Sequence, residues 1–119
     1  MNRFDHERLD VYQVALQFLI LAHKIVEYLP KGHSHLSNQL QRAALSMSLN
    51  IAEGAGEFSS AEKARFYRIA RRSATQCASI IDICRCLKRV KQNLLANGRE
   101  LLLRVVAMLT RLVKVQVKT

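Results

Sequence analysis

The 119-residue chain has no tryptophan, one proline and four glycines. Pro30, Gly32, Gly54, Gly56 and Gly98 therefore mark almost every place where a helix could break. No segment keeps an alternation of two and no hairpin turn signal appears, which argues against a sheet. The three cysteines, Cys77, Cys84 and Cys86, are odd in number and lack CxxC spacing. Set among Ile and Leu in a helical register, they read as small buried hydrophobes in a reduced, cytoplasmic setting. The apolar run VALQFLILA stops at His23 and Lys24, short of the ~20 residues a bilayer requires. The opening MNRFDHERLD mixes both signs of charge, unlike a basic leader segment. No membrane association is expected.

Acidic residues are scarce, nine against nineteen Lys and Arg. None of the nine has a histidine three residues on, so the inward carboxylate and Glu-x-x-His sets of di-metal bundles are missing. His33 and His35 stand two apart in a turn, poor geometry for a shared metal, and His23 is solitary. Gly54-Ala55-Gly56 has neither a preceding strand nor a following Lys-Ser/Thr, as a phosphate loop needs. No metal, no cofactor and no enzymatic activity are expected.

Apolar residues at steps of three and four fill the rest of the chain and predict four helices, at roughly 8–29, 35–53, 60–89 and 94–116. The first buries Val11, Val14, Phe18, Ala22, Ile25 and Leu29. The second buries Leu36, Leu40, Ala43, Met47 and Ile51. The third carries Phe66, Ile69, Ala70, Ser73, Cys77, Ile80, Cys84 and Leu87 inward, and the fourth Leu102, Val105, Leu109 and Leu112. Pro30 with Gly32 ends the first helix, and Ser34 is placed to cap the second. Gly54-Ala55-Gly56 is expected to close the second by a left-handed glycine. Ser59 and Glu62 form a capping box for the third, and Gly98 is a weak point in the fourth. Short connections favour antiparallel neighbours, so the expected fold is all-α, a single up-down-up-down four-helix bundle over residues 1–119.

Two faces remain once that core is filled. Tyr12, Leu16, Leu19 and Ile20 form a second apolar patch on the first helix, and Leu45 and Leu49 lie almost opposite the core stripe of the second. A helix apolar on both sides needs cover on both sides, so the expected partner is another copy of the chain. Between the two apolar sides of the second helix runs a polar line, Gln39, Arg42, Ser46, Asn50 and Glu53, expected to form a structural network that fixes register. The third helix and its exit carry Arg65, Arg68, Arg71, Arg72, Arg85, Lys88 and Arg89, with few acids to offset them. Arginine's planar fork suits phosphate, and a net charge of +10 suits a polyanion. Those seven residues are the expected contacts to RNA or DNA, and Tyr67 beside them is placed to stack on a base. The rival reading is a scaffold that docks an acidic protein, with no nucleic acid.

The segment Leu36 to Gln76 carries Leu36, Gln39, Arg42-Ala43, Ser46, Asn50-Ile51-Ala52-Glu53-Gly54, Phe66, Ile69-Ala70-Arg71 and Ser73. It resembles the bacterial four-helix bundle proteins named for reading frames in intervening sequences of 23S rRNA genes. FDHERLDVYQVAL extends the likeness over nearly the whole chain. The resemblance implies a four-helix subunit and ring-shaped homopentamers. It also implies kinship with the accessory proteins of diversity-generating retroelements, and so a reverse transcriptase as a further partner. The family's name reflects gene location more than activity. Two positions depart: Arg72 stands where the family commonly has Gly, and Gln76 where it has Glu. The second change removes a carboxylate partner for Arg42 or Arg71.

Overall fold

Each apolar stripe can be covered only by the other three, and this closes the chain on itself. In the computed structural model, which describes residues 2–117, the helices are α1 (Asp10–Glu27), α2 (Ser34–Gly56), α3 (Ser60–Leu87) and α4 (Gln92–Val117). Single 3-10 turns at Asp5–Arg8 and Lys31–His33 precede α1 and α2. Each helix packs on two neighbours, in the cyclic order α1, α2, α3, α4. Cross-links run in opposite senses along the helices: Ser73 pairs with Ser46 while Gln76, further along α3, pairs with Gln39, earlier in α2. The bundle is therefore antiparallel at this seam. At 1.5 Å per residue the 28 residues of α3 span ~42 Å, nearly the 46 Å length of the molecule. The ends of α3 thus stand at opposite ends of the bundle.

The core contains the expected stripes of α1, α2 and α4 apart from Leu29 and Leu112, which are half-buried at its edge, with Phe18, Ile25, Leu40, Met47, Ile51, Val105 and Leu109 wholly enclosed. In α3 the register is turned. Ala64, Tyr67, Ala74 and Ile81 join Ala70, Cys77, Ile80 and Cys84 inside, while Phe66 and Ile69 are only half-buried and Leu87 is exposed. The cause lies in α2. A Cβ on Gly54 would sit 2.7 Å from Tyr67 Cε1 and 2.9 Å from its Cδ1, so the bare glycine backbone is what admits the tyrosine ring. Gly54 is helical and α2 continues to Gly56, with no glycine at positive φ among the described residues. The expected left-handed stop is replaced by a Lys63 ammonium that donates to the carbonyls of Gly54 (3.3 Å) and Ala55 (2.8 Å). A cation there satisfies orphan carbonyls at the negative end of the helix.

Gly98 serves a similar purpose. A Cβ there would meet Ile81 Cδ1 at 2.8 Å, so it permits close packing of α4 rather than weakening the helix. Ser34 lies inside α2 and does not cap it; the preceding 3-10 turn leads into the helix instead. Ser59 Oγ does accept from the Glu62 amide at 3.3 Å, but the Glu62 carboxylate turns to Arg65. α3 ends at Leu87, two residues before the expected stop, with Lys88 left-handed at φ 56°. That conformation carries a Cβ penalty in any residue but glycine.

Candidate functional site

The charges are sorted between the two halves of the bundle. Residues 2–59, containing α1 and α2, carry five Lys and Arg against six Asp and Glu. Residues 60–117, containing α3 and α4, carry thirteen against Glu62, Asp82 and Glu100 alone. One pair of neighbouring helices is thus near neutral and the adjoining pair strongly basic.

On the neutral pair, Ile20, Leu45 and Leu49 are 63%, 48% and 54% exposed. Leu16 and Leu19 are half-buried at the edge of the same face. Tyr12, expected to belong with them, is partly covered by His6 of the first 3-10 turn, the ring centres 4.6 Å apart. Three large aliphatic side chains therefore remain open to solvent on neighbouring helices, with Arg42 and Glu53 within a turn of Leu45 and Leu49 and Ile20 in a groove it shares with Lys24 and Glu100.

The polar line of α2 divides in two. Asn50 Nδ2 donates to the Ser46 carbonyl (2.8 Å) and to Ser46 Oγ (3.1 Å), and Ser73 Oγ donates to Ser46 Oγ at 3.0 Å. Gln76 Nε2 donates to Gln39 Oε1 at 3.2 Å. These bonds tie α2 to α3 and fix their register, as expected for Gln39, Ser46 and Asn50. Arg42 and Glu53 do not join: both are exposed, and neither has an ion pair or side-chain hydrogen bond among the described residues. They point outward beside Leu45 and Leu49, three to four residues away, rather than into the seam.

On the basic pair, Arg65, Arg68 and Arg72 occupy the outward side of the first half of α3, all exposed. Arg65 is held in place. Its guanidinium donates to both Glu62 oxygens at 3.0–3.3 Å and lies 4.4 Å from the centre of the Phe66 ring. The Glu62 hydrogen bond, then its charge, push the guanidinium pKa further above its already high ordinary value. Arg68 and Arg72 have no such partner among the described residues. Arg71 turns toward α4 and donates to Thr110 Oγ1 at 3.0 Å.

Arg85, Lys88 and Arg89 form a separate group, since Arg72 and Arg85 are thirteen residues, or ~20 Å, apart along the helix. Arg85 is paired with Asp82 at 3.2 Å. The seven expected contacts are consequently two groups near opposite ends of one face. Arg99, exposed on α4, lines the intervening seam near Asp82. It escaped the sequence reading because its place depends on how α4 registers against α3. Arg104, Arg111 and Lys114 extend the charge around α4.

Tyr67 is not available to a base. It is 3% exposed, and burial, with a smaller contribution from Asp5, pushes its phenol pKa up. Among the described residues no group of three or more His, Cys, Asp or Glu could hold a metal ion, and no helix is long and apolar enough to cross a membrane.

Residues 7–111 match the model of the 23S rRNA-intervening sequence protein family, and the chain belongs to that family. No curated protein matches the chain.

Proposed function

We propose that this member of the 23S rRNA-intervening sequence protein family is a non-enzymatic, self-associating bundle that binds structured RNA through phosphates on its α3–α4 side. The observation that carries this reading is the sorting of charge. Thirteen cations against three acids on one helix pair supply a field for a polyanion. The neutral pair supplies Ile20, Leu45 and Leu49 for contact between copies. The cations and these three side chains lie on different helices, with Ile20 bordering α4 across a groove that includes Glu100 and Leu101. The family resemblance supports a ring of five as the assembly.

Contacts by arginine forks to phosphate position an RNA without reading its bases, which agrees with a face rich in cations whose Tyr67 is buried. Arg65, Arg68 and Arg72 form the nearer group, Arg85, Lys88 and Arg89 the farther, and a backbone tracking the face would touch both. The test is light scattering on nuclease-treated protein, with and without ribosomal RNA, over a series of salt concentrations. A multiple of the subunit mass that rises on adding RNA, and rises less as salt increases, supports the reading. A mass indifferent to RNA refutes it.

A further inference from the structure

Midway along the seam between α3 and α4 lies a groove of about 210 Å³. Its apolar lining includes Ala78, Ile81, Leu102 and Val106, and Leu103 beside them is 52% exposed. The volume falls below the ~300 Å³ at which small-molecule sites begin, so the open groove suits a short row of anchoring side chains better than a cofactor. Its rim is cationic. Arg99 lines it from α4, and Arg71 lies one turn from Thr75, whose hydroxyl donates to the Arg71 carbonyl at 3.1 Å. Arg85 stands beyond Asp82, and the single acid of this rim is already held by Arg85 at 3.2 Å.

Nucleic acid does not account for this combination, because phosphates gain nothing from an aliphatic lining. A wholly apolar partner would leave the rim cations uncompensated. From Thr75 to Asp82 the groove follows α3 for ~10 Å, about two helical turns. That length matches the i, i+3, i+7 anchors of a helix laid in a groove. We propose that this groove is a docking site for an acidic amphipathic helix of a protein partner. Its aliphatic side chains enter against Leu102, Leu103 and Val106, and its carboxylates meet Arg99 and Arg71. The site does not depend on RNA binding at Arg65, Arg68 and Arg72, which lie on the outward side of α3.

Fluorescence anisotropy tests this with a labelled, helix-forming peptide that has leucines at i, i+3 and i+7 and glutamates elsewhere. The control peptide has serine for each leucine, at equal charge. The full-length protein is expected to bind the leucine peptide at least tenfold more tightly than the serine peptide. Leu103→Ser and Arg99→Glu, both at exposed positions, should each weaken it at least tenfold, while the uncharged Leu103→Ser leaves affinity for RNA unchanged. Absence of peptide binding, equal binding of the two peptides, or undiminished binding by Leu103→Ser would overturn the proposal. So would a parallel loss of RNA binding in Leu103→Ser, since the groove would then belong to a nucleic-acid surface.

Discussion

Replacing Gly54 by alanine places a methyl carbon 2.7 Å from Tyr67 Cε1, 2.9 Å from its Cδ1 and 3.1 Å from Phe66 Cβ. Two opposing effects can be weighed. Alanine is favoured over glycine within a helix by up to ~1 kcal/mol. Overpacking a filled core costs ~1–3 kcal/mol, and the upper part of that range applies because Tyr67 is enclosed and its ring has no open side. The expected net effect is a loss of about 1–2 kcal/mol, or a fall in melting temperature of about 4–10 °C for a chain of this size. Gly56→Ala provides the internal control. It lies in the same helix with nothing within 4 Å of the added Cβ, so only the propensity gain operates and stability should rise by a few tenths to ~1 kcal/mol. Thermal melts at one fixed protein concentration give both numbers. Should Gly54→Ala melt at or above the parent, the close approach of α2 to Tyr67 is not what requires this glycine. A cycle with Tyr67→Leu sharpens the assay, because shortening the ring should remove most of the Gly54→Ala penalty.

Lys88→Gly should raise stability by ~1 kcal/mol, since it relieves a left-handed residue at φ 56°; an unchanged or lower melt would refute that cost. Ile20→Glu with Leu45→Glu should shift light scattering to smaller species at undiminished helicity, and an unaltered mass would show that assembly uses another face. Arg65, Arg68 and Arg72 changed together to Ala should lower the slope of log affinity against log salt by about two to three; an identical slope would place RNA elsewhere. Burial pushes the Cys77 thiol up to about 12 from its ordinary 9.0. Below 9 both folded and unfolded chains keep the proton, and between 9 and 12 the unfolded chain loses it first. Stability should therefore fall as pH rises through that window, by up to ~1.4 kcal/mol per unit, and Cys77→Ala should flatten the fall.

The helices and most of the core were legible because a stripe of Val11, Val14, Phe18, Ala22 and Ile25 has one solution in water, a covered helix face. What escaped were features that depend on a neighbour. Phe66 and Tyr67 are adjacent aromatics with equal claims on the interior, and the choice between them rests on the absent side chain of Gly54, thirteen residues earlier in another helix. The same absence explains why Gly54 was misread as a stop: locally a glycine near a helix end signals a cap, and only packing shows that it makes room. Arg42 and Glu53 were grouped with Ser46 and Asn50 by wheel position, yet a few tens of degrees separate the seam from solvent. Ion pairs and the left-handed Lys88 are likewise decided by geometry that periodicity does not carry.

The division of labour between helix pairs has a consequence for affinity. If copies join through Ile20, Leu45 and Leu49, every subunit keeps its α3–α4 side for other contacts, and the assembly presents several basic faces on one rigid body. Individually, exposed arginines such as Arg68 and Arg72 gain little from a single phosphate in water. Linked, the second and later contacts become intramolecular and gain the effective concentration of a tether. On this reading, RNA affinity should be lost when assembly is broken even though no basic residue is touched. The Ile20→Glu, Leu45→Glu protein measures this directly. Its affinity for ribosomal RNA should fall by at least tenfold while its affinity for a short oligonucleotide, which spans only one subunit, stays the same. Equal losses on both RNAs would mean that the substitutions disturb the subunit itself, and no loss on either would mean that one basic face suffices.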